Sequence, residues 1–301
     1  MSKRPNGLLV PITTPFDATT GEVAPVHLRE NARLLLDAGV QGILAAGSTG
    51  EASLLEESET RSILEWLRDV VPPEKWLIAG VGRESTRATV KACKVAAEEG
   101  ADAVLVRSPA YYAPVMTLEA LTAHFRRVAD ESPVPVMLYN MPKYTHVSLS
   151  DTLFAALSDH PNIWGAKDSS GDLKNLASYQ EAAPEWTLFV GSGALYYAAL
   201  ELGTAGAIAA TGCFATELTC EIGTAFLEGD KQRAGAVQER VAPLHMGIVG
   251  GLGIAGVKAA MDATGTYGGP VRAPLRDLDE QNTVKMLGLL NEAGLAAKSV
   301  D

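Results

Sequence analysis

A (β/α)8 barrel followed by a C-terminal helical extension is the fold class this sequence predicts, and three observations predict it. First, one junction recurs: a helical run ends at glycine, two residues follow, and a short apolar strand begins. It reads LLLDAGVQGILAAG, AAEEGADAVLVRS and ALELGTAGAIAAT, with Gly39, Gly100 and Gly203 just past the helix, where left-handed backbone favours glycine. Second, the apolar runs lack polar/apolar alternation, the pattern of strands buried on both faces of a parallel sheet. Third, about eight such runs recur at roughly 20–35 residues, the size of a βα repeat.

In chain order the strands are GLLVPIT, GILAAG, WLIAGVG, ADAVLVRS, PVMLYN, IWGAKDS, TLFVGSG and AGAIAAT. No linker or low-complexity break interrupts the repeat from Gly7 to about Phe214. An open doubly wound sheet is the competing architecture. After Phe214 the strand signal ends. Helix patterns cover Leu218–Glu228, Asp230–Met246, Ala255–Thr264 and Glu280–Ala293, the first closing the barrel as its eighth helix. Residues 1–229 are therefore expected to form the barrel and 230–301 a helical domain, with PVRAPL (Pro270 to Leu275) as an extended segment.

The chain has 301 residues, 47% of them hydrophobic, and a formal net charge of -11. An acidic surface without a basic cluster argues against nucleic acid as a partner. No apolar run of membrane-spanning length and no signal peptide are read, so a cytoplasmic protein is expected, without membrane association. Cys93, Cys213 and Cys220 form no CxxC pair and read as small core hydrophobes. The five histidines form no metal-ligand spacing, so no metal is expected.

A barrel carries its active site at the C-terminal ends of its strands. Those ends present Thr13–Thr14, Gly47–Glu51 (GSTGE), Gly80–Ser85, Ser108–Tyr112, Tyr139–Asn140, Lys167–Ser169, Gly191–Gly193 and Ile208–Thr211. Lys167 follows an apolar run, where burial disfavours the ammonium, and a neutral lysine amine attacks carbonyls to form a Schiff base. The competing reading is a rim lysine paired with Asp168. Tyr139, at the neighbouring strand end, puts a phenol close to that amine, placed to shuttle protons during carbinolamine formation and C–C cleavage; a core tyrosine is its competing reading.

The GSTGE turn has three readings. It resembles a nucleophile elbow, with Ser48 as a hydrolase serine and His245 as its histidine. A phosphate loop is excluded because Glu51 stands near where a cation is needed. In the third reading, glycine-flanked hydroxyls and N–H groups bind a substrate carboxylate. Ser53 and Glu56 fit a capping box for the helix that follows. Gly251–Gly256 matches GxGxxG but follows no strand, so it reads as an interhelix loop and not a dinucleotide site.

Six motifs in order, GSTGE, the glycine-serine-threonine run at Gly80–Thr86, PAYY (Pro109–Tyr112), LYNMP (Leu138–Pro142), GAKDSSGD (Gly165–Asp172) and the strand around Ile208, resemble the dihydrodipicolinate synthase/N-acetylneuraminate lyase superfamily of Schiff-base aldolases over nearly the whole chain. The resemblance implies a (β/α)8 barrel, usually a homotetramer, working through a covalent imine on Lys167 without cofactor. It implies Tyr139 as proton shuttle and Ser48 and Thr49 as the carboxylate clamp, with Thr49 also relaying protons. It implies Tyr111, or alternatively Tyr112, as a tyrosine lent across a dimer interface. Gly191 and Ile208 would line the 2-oxo acid pocket, and Ser169 and Tyr144 would be further substrate contacts. The family's synthases usually carry arginine where Tyr144 stands here, and losing that bidentate fork is not conservative. HPNIWGAKDSSGD and TYGGPVRAPL are most similar to 4-hydroxy-2-oxoglutarate aldolases. The expected reaction is therefore cleavage of a 4-hydroxy-2-oxo acid to pyruvate and an aldehyde. Dihydrodipicolinate synthase or sugar-acid lyase activity is the alternative within the family. A serine hydrolase and a non-catalytic 2-oxo acid sensor are the alternatives outside it.

Overall fold

The computed structural model describes residues 4–295. Eight parallel strands close in sequence order into one barrel: β1 Gly7–Pro11, β2 Gly42–Ala45, β3 Trp76–Gly80, β4 Ala103–Arg107, β5 Val136–Asn140, β6 Ile163–Asp168, β7 Thr187–Val190 and β8 Gly206–Ile208. Closure through the β1–β8 pair removes the open-sheet alternative. Gly39, Gly100 and Gly203 have φ of 97°, 81° and 87°, the left-handed backbone expected just past a helix end.

Alternation along each strand divides two cores. Leu9, Leu44, Ile78, Met137, Phe189 and Ile208 fill the barrel interior. Val10, Ile43, Leu77, Val104, Leu138 and Leu188 face outward against the ring of helices. Cys93 and Cys213 lie in the outer core, where burial raises their thiols to about 11 and about 12 and leaves them as inert small hydrophobes.

The helix Thr216–Leu227 closes the barrel. Three expectations for the chain beyond and near it are corrected. The helix expected to stop near Met246 does not give way to a loop. Lys231–Leu244 runs on through a π-helical stretch, His245–Leu252, into Gly253–Thr264. The GxGxxG match therefore has helix on both sides, and its middle glycine, Gly253, breaks the backbone between them with φ of 66° and ψ of -150°. The helical run Lys231–Thr264 is also long and apolar enough, by length and composition, to cross a membrane, unlike the expectation from unbroken apolar runs. In this fold it packs on Thr216–Leu227 and Glu280–Glu292. Second, Pro270–Leu275 joins no strand and turns at Ala273–Leu275, because side chains anchor it to the barrel as described below. Third, the capping box lies one turn later than Ser53. Ala52–Leu54 form a short 3-10 turn, and the helix Glu57–Arg68 starts from Glu56, whose N–H donates to Glu59 at 2.8 Å.

Candidate active site

At the C-terminal mouth of the barrel lies a cavity of about 480 Å³. Lys167, Tyr139, Ser48, Thr49, Gly191 and Ile208 all line it, as do Ser169 and Tyr144. Strand ends supply most of these groups. The π-helical stretch roofs the cavity with His245, Met246 and Val249.

Register brings the two central groups together. β5 and β6 pair with Tyr139 beside Lys167 and Asn140 beside Asp168. Because neighbours on a strand face opposite sides, Lys167 and Tyr139 point into the barrel while Asp168 and Asn140 point toward the helices. The Lys167 amine stands 4.6 Å from the centre of the Tyr139 ring, and both residues are buried. Asp168 is not its partner. The carboxylate accepts from Asn140 Nδ2 and from the Ser170 hydroxyl, each at 2.6 Å. Burial raises the Asp168 carboxyl above its ordinary value, and these two bonds oppose the rise. Asn140 also donates to the Tyr179 hydroxyl at 3.1 Å and accepts from Leu149 N–H at 3.0 Å. This network locks the outer side of the β5–β6 pair and so holds the inner side in register. Among the described residues the Lys167 amine has no hydrogen-bond or ion-pair partner, so it is available to a carbonyl carbon.

Across the ring, the GSTGE turn follows β2. Its strained residues are Ala46 and Glu51, with φ of 49° and 58°. Ser48, the would-be elbow nucleophile, has ordinary backbone. His245 accepts from Gly193 N–H through Nδ1 at 3.2 Å, and no carboxylate bonds to it among the described residues. The hydrolase reading therefore lacks its oriented base. At Gly191 a Cβ would stand 1.9 Å from Ser169 Oγ and 2.9 Å from its Cβ, so any side chain there must displace Ser169.

Tyr111 is outside the cavity. It is 80% exposed and packs edge-on against Tyr112, ring centres 5.0 Å apart. Glu84 pins the turn by accepting from Ala110 and Tyr111 N–H groups, both at 2.9 Å.

Sequence reasoning missed Lys258. Its amine lies 2.6 Å from a Glu51 oxygen with both side chains sealed from solvent, and it donates to the Pro270 carbonyl at 2.7 Å. The other Glu51 oxygen accepts from Arg272 N–H at 2.8 Å. The Arg272 guanidinium forks onto Glu59 at 2.6 and 2.7 Å. The C-terminal segment thus fastens the turn that carries Ser48 and Thr49. Burial lowers the Lys258 amine below its ordinary value while Glu51 opposes the shift. A lone lysine in the apolar helix Gly253–Thr264 was the available signal. Lys258→Met is expected to cost about 3–5 kcal/mol, because it strands a buried carboxylate, and adding Glu51→Leu should recover most of it. Urea unfolding midpoints check this; an unshifted single variant would contradict it.

A parallel barrel whose mouth sets an unpaired buried lysine beside a tyrosine is built for Schiff-base chemistry. The family model of the dihydrodipicolinate synthetase family matches residues 4–293, and the chain belongs to that family. It is a Schiff-base lyase of the pyruvate aldolase group, a family that uses lysine rather than a cofactor. An uncharacterised DapA-like lyase of Halobacterium salinarum is 38% identical over 96% of this chain and 94% of its own. A 4-hydroxy-tetrahydrodipicolinate synthase of Methanopyrus kandleri is 34% identical over 96% and 98%. Among solved structures, a dihydrodipicolinate synthase of Acinetobacter baumannii complexed with pyruvate superposes with a TM-score of 0.91 at 30% identity, over 96% of this chain and 99% of that one. YagE of E. coli K12, also with pyruvate, gives 0.90 at 28% identity over 97% and 99%.

Proposed function

We propose that this enzyme cleaves a 4-hydroxy-2-oxo acid, of the 4-hydroxy-2-oxoglutarate type, to pyruvate and an aldehyde. The observation that carries the reading is the Lys167 amine, unpaired and 4.6 Å from the Tyr139 ring, in a cavity also lined by Ser48 and Thr49. Lys167 condenses with the 2-oxo group and water leaves. The iminium withdraws electrons as the C3–C4 bond breaks, and the C4 hydroxyl gives up its proton as the aldehyde forms. Tyr139, with Thr49 as relay, moves that proton and returns one to C3 of the enamine. Hydrolysis of the imine then frees pyruvate and Lys167. Ser48 and Thr49 clamp the carboxylate beside the 2-oxo group.

The distal wall departs from the pattern of the synthases. Tyr144 occupies the synthase arginine position, half-exposed, and Lys143 is the cation beside it, donating to the Gly250 carbonyl at 3.3 Å. The names of the relatives favour the alternative, condensation of pyruvate with aspartate semialdehyde. A pyruvate-release screen over 4-hydroxy-2-oxoglutarate, 2-keto-3-deoxy sugar acids and N-acetylneuraminate, beside that condensation assay, separates them. Activity in the condensation alone would overturn the cleavage reading. Ser48→Ala is expected to raise KM for the 2-oxo acid about tenfold, while borohydride still traps pyruvate on Lys167 at saturation; loss of all trapping would contradict a clamp role. We further infer a cytoplasmic homotetramer in which the pinned, outward Tyr111 serves a neighbouring subunit's site. Sedimentation and the activity of Tyr111→Phe test that reading.

A further inference from the structure

Among the polar groups of the cavity that the mechanism above does not use, one is an imidazole. His245 begins the π-helical stretch, lines the cavity, and is tied by one edge only. Its Nδ1 accepts from Gly193 N–H at 3.2 Å, so Nδ1 carries no proton and the neutral ring carries its proton on Nε2. A second side chain of the same helix, Gln238, grips the other side of that residue, donating to the Gly193 carbonyl at 2.9 Å. Gln238 also accepts from Tyr197 N–H at 2.8 Å. The turn after β7 and the roof helix are thus fixed to one another, and the imidazole is fixed with them. Nε2 has no partner among the described residues. Burial, with the Lys143 charge as a smaller cause, lowers the imidazolium to about 4, so the ring is neutral near pH 7.

The placement of His245 defines which part of a substrate it meets. Ser48 and Thr49 stand after β2, across the ring from Lys167 on β6. His245 sits over the end of β7, and Lys143 follows β5. A 2-oxo acid clamped at the β2 side and bonded to Lys167 therefore directs its remaining carbons toward the β5–β7 side of the mouth. There the wall offers His245, Lys143 and Ser192 among apolar Met246 and Ile254.

We propose that His245 is a specificity residue for this lyase, its Nε2–H donating to a hydroxyl or carbonyl oxygen on the aldehyde half of the substrate. The proposal rests on the cleavage reading given above. It assigns the site to substrates with an uncharged oxygen on C4 or C5, with Lys143 left for an anionic end. A neutral donor on a fixed edge reads an oxygen without demanding charge, and an analogue lacking that oxygen leaves the donor unpaired.

The test is His245→Asn, assayed with 4-hydroxy-2-oxoglutarate and with pyruvate. Asparagine keeps an acceptor where Nδ1 stood, so the Gly193 bond survives, and removes the Nε2–H. The expected result is a kcat/KM for cleavage about tenfold lower, carried mainly by KM. Borohydride trapping of pyruvate, which has no aldehyde half, should keep its concentration dependence. His245→Gln, which places an amide near the Nε2 position, should recover part of the loss. An Asn variant that cleaves like the wild type would overturn the proposal, as would one that loses pyruvate trapping in step with cleavage. A wild type that traps pyruvate without cleaving this acid would overturn the cleavage reading and the His245 assignment together. A cleaving wild type with an unimpaired Asn variant would overturn the assignment alone.

Discussion

Lys167→Ala is expected to lower the cleavage rate by about 10⁵-fold or more, the scale on which losing a covalent nucleophile acts. No second amine replaces it. Lys143, the other lysine lining the cavity, is exposed at the rim and bonds the Gly250 carbonyl. Lys258 is sealed against Glu51 and Pro270. Lys167→Arg should be as inactive, because guanidinium keeps its charge and offers no free amine. Both variants should remain folded, since the Asn140–Asp168 network that sets the β5–β6 register lies on the opposite face. Steady-state cleavage by the purified variants, with circular dichroism for the fold, checks this. Residual activity within about a hundredfold of the wild type would mean that no covalent step through Lys167 is required.

Tyr139→Phe is expected to lower kcat by about 10²–10³-fold with little change in KM, the usual reach of a positioned acid–base group. The substitution keeps the ring beneath the Lys167 amine and its packing in the barrel interior among Met137, Phe189 and Ile208. Only the phenol is lost. Borohydride should therefore still trap pyruvate on Lys167 after long incubation while steady-state cleavage falls, so that trapping and turnover separate. A Phe variant with near-normal kcat would return Tyr139 to a packing role.

The barrel was legible because its repeat is local. β2, β4 and β8 follow helices that end at glycine, and the strands run apolar without alternation, so order, direction and the location of the strand ends follow from the chain itself. Tyr139 and Lys167 were legible for the same reason: they end consecutive strands, and consecutive strands pair. What the sequence left hidden depends on contacts between distant segments. Nothing near Glu51 announces Lys258 or Arg272, which reach it from the far end of the chain. From sequence His245 reads as a hydrolase base; Gly193, which fixes its tautomer, comes from another element. Gly251–Gly256 reads as a loop because glycine has low helix propensity, and packing on neighbouring helices holds helix on both sides of Gly253 in spite of it. Tyr111 lies outside the cavity of its own chain, and a single chain cannot build the arrangement its role would require.

All of this chemistry depends on a covalent imine between Lys167 and a 2-oxo acid. Incubating the enzyme with pyruvate, reducing with borohydride and mapping the modified peptide by mass spectrometry tests it most directly. The expected result is one added N-carboxyethyl group per chain, on Lys167, and none in Lys167→Ala. An unmodified Lys167 under conditions that trap other Schiff bases, or an adduct on another lysine, would contradict it.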